Sequence, residues 1–215
     1  MSEQPDGTGL SAFQVQVSEL FFSLPESAGF LLAGGAALIA LGMTDRTTQD
    51  LDFFTHRGAG DVNHAARALT DAANENGWEV EQIRSGREFC RLVIRGPDEV
   101  LVDLAVDTEP TRPSTVTVAG PSIAPEELAA RKLLALFARA EARDYVDVHA
   151  LAHIYGKADL IAEARSLDSG MEDRYLAQSY RAIGRLRVEE FPVDAASVAE
   201  IRAFFDAWAQ ELEPS

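Results

Sequence analysis

Residues 33–54 read AGGAALIALGMTDRTTQDLDFF, and the rest of the chain is arranged around them. Two adjacent glycines precede an apolar helical segment, and a polar turn then leads into DLDFF, residues 50–54. Because side chains alternate faces along a strand, Asp50 and Asp52 project together. Neighbouring carboxylates repel each other, and a divalent cation relieves that repulsion. Glycines at a helix start let a phosphate approach the backbone, so this segment predicts metal-assisted phosphoryl chemistry.

The order of these residues resembles the nucleotidyltransferase superfamily, which has a DNA polymerase β-like fold. The match consists of Gly34-Gly35, a short helix, and Arg-x-Thr-x-Asp-Leu-Asp over residues 46–52. Within the superfamily the chain is most similar to the AbiEii/AbiGii toxins of type IV toxin–antitoxin systems and their MenT-like relatives. The resemblance spans roughly residues 29–155.

Composition limits the possible environments and partners of the chain. Its 215 residues carry 19 basic and 35 acidic side chains, a net charge of −16, which argues against non-specific nucleic-acid binding. The single cysteine, Cys90, excludes an internal disulfide and is typical of a reducing compartment. The N-terminus lacks an apolar signal core, and the uncharged residues 30–43 are too few to span a bilayer. The sequence therefore predicts a cytoplasmic protein without membrane association.

The predicted elements divide the chain into three parts. Residues 1–9 are predicted to be disordered. Residues 10–120 predict an α/β-type nucleotidyltransferase domain with a mixed sheet flanked by helices, and residues 121–215 predict a helical bundle, which makes an α+β protein. The boundary falls in a proline-rich segment that contains Pro110, Pro113, Pro121 and Pro125. We expect the active cleft between the two domains.

Asp103 lies within an otherwise apolar strand pattern, VLVDLAVD, residues 100–107. A lone buried carboxylate is costly, so Asp103 needs a metal ion or a basic side chain beside it. Members of the superfamily carry a third strand carboxylate near Asp-x-Asp, and the resemblance implies that Asp103 is this residue. Asp107, four residues later on the same face, is the fallback, and a solvated edge position is the purely structural alternative.

The densest positive cluster in the first half of the chain consists of four arginines: Arg84, Arg87, Arg91 and Arg95. Arg91 and Arg95 share one face of a predicted strand over residues 89–94. A solvated strand face is one interpretation. A basic strip that guides a polyphosphate or an RNA backbone is the other.

A predicted helix over residues 126–143 carries a second group of polar residues. Its spacing places three cations on one stripe: Lys132, Arg139 and Arg143. Lys-Leu-Leu-Ala-Leu resembles the family's Lys-Leu-x-Ala-Leu motif, and residues 143–147 resemble its Arg-Asp-x-x-Asp motif. The resemblance implies that Lys132 contacts nucleotide phosphates and that Asp144 is needed for activity. Alternatively, Asp144 and Asp147 serve to cap the next helix.

Together these residues predict a nucleotidyltransferase that uses Mg²⁺, with Mn²⁺ as the alternative ion, to transfer NMP from an NTP to an acceptor hydroxyl. Asp50 and Asp52 bind the ion, and Asp103 is a further ligand or the base for the acceptor. The predicted substrate-binding residues are Gly34, Gly35, Arg46, Thr48, Lys132 and Arg143. The family role implies a toxin that modifies the 3′ end of tRNA, blocks translation and has a separately encoded cognate antitoxin as partner.

Two other classes of function stay open. One is a small-molecule nucleotidyltransferase of the aminoglycoside-modifying kind. The acidic surface favours it because it would attract cationic aminoglycosides, whereas the toxin-type motifs count against it. The other is a non-catalytic nucleotidyltransferase-like binding module, which predicts the loss of carboxylates or glycines that are all present in this chain.

Overall fold

The structure is a computed structural model that describes residues 9–213, so residues 1–8 of the predicted disordered segment lie outside it. The chain divides into two compact units, one ending at Pro125 and one beginning at Glu126. The predicted domain boundary after residue 120 stays a prediction. Within the described range, every helix is too short or too polar to cross a lipid bilayer.

The first unit is built on a mixed seven-stranded sheet, counted over the described residues, with the strand order β3-β4-β5-β2-β1-β7-β6. The strands are β1 Leu31–Ala33, β2 Asp50–His56, β3 Glu79–Ser85, β4 Phe89–Arg95, β5 Glu99–Asp107, β6 Thr115–Thr117 and β7 Gly120–Ser122. The helices of this unit are α1 Ala12–Ser23, α2 Gly34–Ala40 and α3 Val62–Glu75. The β2·β5 and β1·β7 pairs are parallel, and the other pairs are antiparallel. The predicted fold class is confirmed.

Strand β2 shows why this sequence forms a sheet with one polar face. Its residues alternate between buried and partly exposed along the whole strand. Phe53 is fully buried and stacks on Phe21 of α1 with ring centroids 4.2 Å apart, while Phe22 contacts it edge-on at 5.3 Å. The apolar face of β2 therefore packs on α1, and Asp50 and Asp52 are left on the opposite face.

Strand β7 is an element that the sequence does not predict. It contains Pro121, which lacks an N–H group for a central sheet position. Ser122 nevertheless lies beside Leu32 of β1 in the parallel pair, and its hydroxyl donates a hydrogen bond to the Leu32 carbonyl oxygen at 3.1 Å. These contacts, which no local pattern encodes, extend the sheet beyond β1.

The second unit is helical, as predicted. Its helices are α4 Pro125–Arg139, α5 Ala142–Tyr155, α6 Lys157–Leu167, α7 Asp173–Arg181 and α8 Ala195–Glu211. Buried aromatic rings form its core: Tyr145 lies edge-on to Phe205 at 5.0 Å, and Tyr180 lies against Trp208 at 4.6 Å. Packing of such large rings contributes strongly to stability.

The predicted single helix over residues 126–143 is wrong. Helix α4 ends at Arg139, Ala140 adopts a positive φ of 51°, and Glu141 is the N-cap of α5. Arg143 therefore lies on a different helix from Arg139, so the three-cation stripe does not exist. Asp144 lies in the first turn of α5 rather than at its cap. Alanine is the best helix former, which is why the sequence contains no stop signal at this point.

Candidate active site

Strand register brings three of the predicted carboxylates to one face of the sheet. Asp52 of β2 lies opposite Asp103 of β5 in the parallel pair, and Asp50 precedes Asp52 by two residues. Register partners project to the same side, as do residues i and i+2 of one strand. Asp50, Asp52 and Asp103 therefore form what we call the carboxylate face.

Arg91 is the basic side chain that lies beside the buried carboxylate of Asp103. It lies opposite Asp103 in the antiparallel β4·β5 pair, and Asp103 is only 8% exposed. The guanidinium donates from Nε to Oδ1 at 2.7 Å and from Nη2 to Oδ2 at 2.6 Å, a bidentate ion pair. The hydrogen bond to Asp103 raises the pKa of Arg91, and the charges of Asp103, Asp50 and Asp52 raise it further. Sequence reasoning placed Arg91 only in the basic strip.

The glycine pair fits closely against two other predicted site residues. Gly34, the first residue of α2, has φ +60°, and a Cβ atom added to it would lie 1.8 Å from Asp52 Oδ2. A Cβ on Gly35 would lie 2.4 Å from Arg46 Nη2. Arg46 is buried and its Nη1 donates to the Thr47 carbonyl oxygen at 2.9 Å. The glycines therefore make room for the protein's own charged side chains at the start of α2.

The turn before β2 completes this arrangement. Thr48 accepts a long hydrogen bond, 3.4 Å, from the backbone N–H of Asp50 to its hydroxyl oxygen. Gln14 of α1 donates to the Thr48 carbonyl oxygen at 2.9 Å. These contacts fix the turn at the point where β2 and its carboxylates begin.

Replacing Gly34 by alanine is expected to reduce nucleotidyl transfer by about 100-fold, because the new methyl group displaces the Asp52 carboxylate. The positive φ adds a stability loss of about 1–2 kcal/mol. Gly42→Ala is the matched control, since Gly42 has φ +67° and a Cβ there would meet no atom within 4 Å. Thermal unfolding and transfer assays of both variants check this. Equal activity losses would contradict the role of the Asp52 contact.

The oxygen donors of the carboxylate face suit a divalent cation such as Mg²⁺. Of the three carboxylates, Asp50 and Asp52 are the two that suit binding of this cation, because they lie on the same side of one strand. Both oxygens of Asp103 are engaged by Arg91, and among residues 9–213 no three His, Cys, Asp or Glu side chains form a metal-binding group. Asp103 as a metal ligand stays a prediction.

Two of the remaining arginines of the basic strip, Arg84 and Arg95, also contact residues of the protein itself. Arg95 donates to Glu99 at 2.7 Å and to Glu81 at 2.9 Å. The Arg84 guanidinium lies 5.3 Å from the centroid of the Phe89 ring. These contacts favour the interpretation that the arginines belong to a solvated strand face over the interpretation that they guide a polyphosphate.

The second unit holds a buried ion network around Lys132. Lys132 is 6% exposed, and its Nζ lies 3.0 Å from Asp147 Oδ2 and 3.4 Å from Asp144 Oδ1, both on fully buried side chains. Arg139 donates two hydrogen bonds of 2.9 Å to Asp144. Burial alone would raise the pKa of Asp144, but the Arg139 hydrogen bonds and the Lys132 charge outweigh it, so this pKa lies below its usual value.

The network connects two of the predicted site residues, Lys132 and Asp144, and adds two that sequence reasoning did not assign to the site. Asp147 is the nearer carboxylate to Lys132, and Arg139 orients Asp144. Arg143, a predicted substrate-binding residue, pairs with Glu141 at 3.0 Å at the surface. The motif spacing over residues 143–147 was the available signal for Asp147.

The architecture described above is that of the nucleotidyltransferase fold, and solved structures share it over nearly the whole chain. JHP933 from Helicobacter pylori is 19% identical with a TM-score of 0.57, covering 94% of this chain and 93% of its own. MenT4, a nucleotidyltransferase toxin from Mycobacterium tuberculosis H37Rv, is 17% identical with a TM-score of 0.59, covering 93% and 85%. A search of curated proteins gave no significant match.

The family follows from the sequence match. Residues 20–214 match the family described as "Nucleotidyl transferase AbiEii toxin, Type IV TA system". The chain belongs to this family, and it is a nucleotidyltransferase of the toxin–antitoxin type. The resemblance inferred from the glycine pair and from residues 46–52 is thereby confirmed.

Proposed function

We propose that this chain transfers a nucleoside monophosphate from an NTP to the 3′ hydroxyl of tRNA with release of pyrophosphate. The observation that supports it is the carboxylate face beside the glycine pair. Asp52 Oδ2 occupies the space next to Gly34, so one carboxylate of this face lies at the first residue of α2. Carboxylates for a cation beside N–H groups for phosphate are what nucleotidyl transfer requires.

Each residue of the first unit has a defined task in this proposal. Asp50 and Asp52 would hold Mg²⁺, or Mn²⁺, which when bound neutralises charge on the triphosphate. Asp103, oriented by its bidentate contact with Arg91, would accept the proton of the acceptor hydroxyl. Arg46 supplies positive charge next to Gly35, and Thr48 orients the start of β2. The backbone N–H groups of Gly34 and Gly35 receive the phosphates.

The second unit contributes Lys132, which we propose contacts the nucleotide phosphates as a compact positive charge. Asp144 and Asp147 pair with this lysine within the buried ion network and fix the position of its Nζ, so loss of Asp144 would lower activity. Arg143, paired with Glu141 at the surface, would be a secondary contact to the substrate.

The proposed toxin role implies two partners, tRNA as the acceptor and an antitoxin protein. Addition of nucleotides to the 3′ end blocks aminoacylation and so stops translation, and a cognate antitoxin encoded separately would restrain the chain. The net charge of −16 disfavours contact with an extended RNA surface. We therefore propose that recognition is confined to the 3′ end of the tRNA.

The test is incubation of the protein with MgCl₂ and each of the four α-³²P-labelled NTPs, with and without total tRNA. Label on tRNA that requires Mg²⁺ and is lost in Asp52→Asn is the expected result, and it names the transferred base. Label on an added aminoglycoside instead of on RNA would move the acceptor to a small molecule. Neither label nor NTP binding would favour a non-catalytic binding module.

A further inference from the structure

Arg91 lies between solvent and the edge of the carboxylate face, because it is partly exposed and binds the mostly buried Asp103. Its side chain is 39% exposed, whereas that of its partner Asp103 is 11% exposed. Both guanidinium hydrogen bonds go to Asp103, one to each carboxylate oxygen. Arg91 therefore fixes the orientation of Asp103 and engages an acceptor site on each of its oxygens.

The register extends this contact toward the proposed cation site. Arg91, Asp103 and Asp52 lie opposite one another on β4, β5 and β2, three adjacent strands. Neighbouring strands are about 5 Å apart, so the backbones of Arg91 and Asp52 lie about 10 Å apart, two strand spacings. The guanidinium reaches Asp103 on the strand between them, which brings its charge closer to an ion at Asp52.

Two effects of Arg91 would oppose binding of a divalent cation by itself. The guanidinium charge repels the ion, and the bidentate contact keeps Asp103 from completing a set of three oxygen ligands with Asp50 and Asp52. A nucleoside triphosphate carries several negative charges and its own oxygen ligands. A bound triphosphate can therefore offset the repulsion by Arg91 and provide the oxygen ligands that Asp103 does not.

We propose that Arg91 makes cation binding depend on the nucleotide: the carboxylate face binds a divalent ion weakly by itself and tightly together with a triphosphate. This inference rests on the proposed function, because it concerns the same carboxylates. Arg91 acts through Asp103 and through its charge, so it is a positioning residue rather than a catalytic one.

The test measures Mn²⁺ affinity by calorimetry, with and without each of the four α,β-methylene NTP analogues, which cannot be cleaved at the reacting bond. In the wild-type protein the matching analogue is expected to tighten Mn²⁺ binding by at least about tenfold. Arg91→Gln is expected to bind Mn²⁺ alone about tenfold more tightly than wild type and to gain less from the analogue.

Arg95→Gln is the matched control. Arg95 lies on the same strand and the same face, and it also pairs with carboxylates, those of Glu81 and Glu99. It is expected to behave as wild type. Arg91→Lys is expected to keep the dependence on nucleotide, because the repulsion needs only the positive charge.

Thermal unfolding with and without MnCl₂ covers the case in which Arg91→Gln folds poorly. MnCl₂ should raise its midpoint more than that of Arg95→Gln, because the ion replaces the missing positive charge. Equal Mn²⁺ responses of Arg91→Gln and Arg95→Gln would overturn the proposal, as would tight Mn²⁺ binding by the wild type without nucleotide. Absent label transfer together with the expected Arg91→Gln response would count against the proposed function alone.

Discussion

Asp52→Asn is expected to lower nucleotidyl transfer by about a thousandfold, since a bound metal ion contributes several kcal/mol to transition-state stabilisation. Asparagine keeps the shape that fits against Gly34 but removes the charge that would hold the cation. Stability is expected to stay the same or to rise, because the substitution relieves repulsion from Asp50 and Asp103. Steady-state transfer rates and thermal unfolding midpoints of the same preparations check both parts.

Asp107→Asn is the control for this experiment. Asp107 is on β5, on the same face as Asp103, but it pairs in register with His56 at the far end of β2. Its loss is expected to change the rate by no more than about twofold, as for other surface positions. A fully active Asp52→Asn enzyme would refute the assignment, and an inactive Asp107→Asn would point to the fallback carboxylate instead.

Lys132→Met is expected to lower the free energy of unfolding by about 3–5 kcal/mol. The methionine fills a similar volume but removes the positive charge that lies 3.0 Å from Asp147 and 3.4 Å from Asp144, both fully buried. Breaking a buried ion pair at one end is costly because the remaining carboxylate cannot be solvated. Denaturant unfolding at neutral pH measures the loss.

The chain offers a matched control because it contains only two lysines. Lys157 pairs with Glu211 at 2.7 Å and lies 4.9 Å from the Phe204 ring centroid, with a side chain 30% exposed. Lys157→Met is expected to cost at most about 1 kcal/mol, the range of exposed ion pairs and cation–π contacts. Comparable losses for the two variants would mean that the ion network around Lys132 does not stabilise the unit.

Acid unfolding gives an independent check of the same network. The pKa of Asp144 is lowered in the folded protein, so its contribution to stability is complete above the unfolded value of 3.8 and is lost as the pH falls through the folded value. Wild type is therefore expected to lose stability faster than Lys132→Met below about pH 4.

Local sequence patterns were sufficient to predict the fold class and to place two of the candidate site residues on one face of a strand. The alternation of DLDFF encodes both the strand β2 and the common face of Asp50 and Asp52, because residues i and i+2 of a strand always share a side. The glycine pair and the motif of residues 46–52 identified the family for a similar reason, since their order and spacing lie within one short segment.

Tertiary structure decided the partners of these residues. Arg91 and Asp103 are twelve positions apart and meet only through the β4·β5 register, which depends on the packing of the whole sheet. The positive φ of Ala140 likewise has no local signal. It ends α4 and returns Asp144 and Asp147 to Lys132, and the resulting ion pairs and packing offset its backbone strain. Spacing thus determined which residues are candidates for the chemistry, whereas long-range pairing determined which charged side chains contact them.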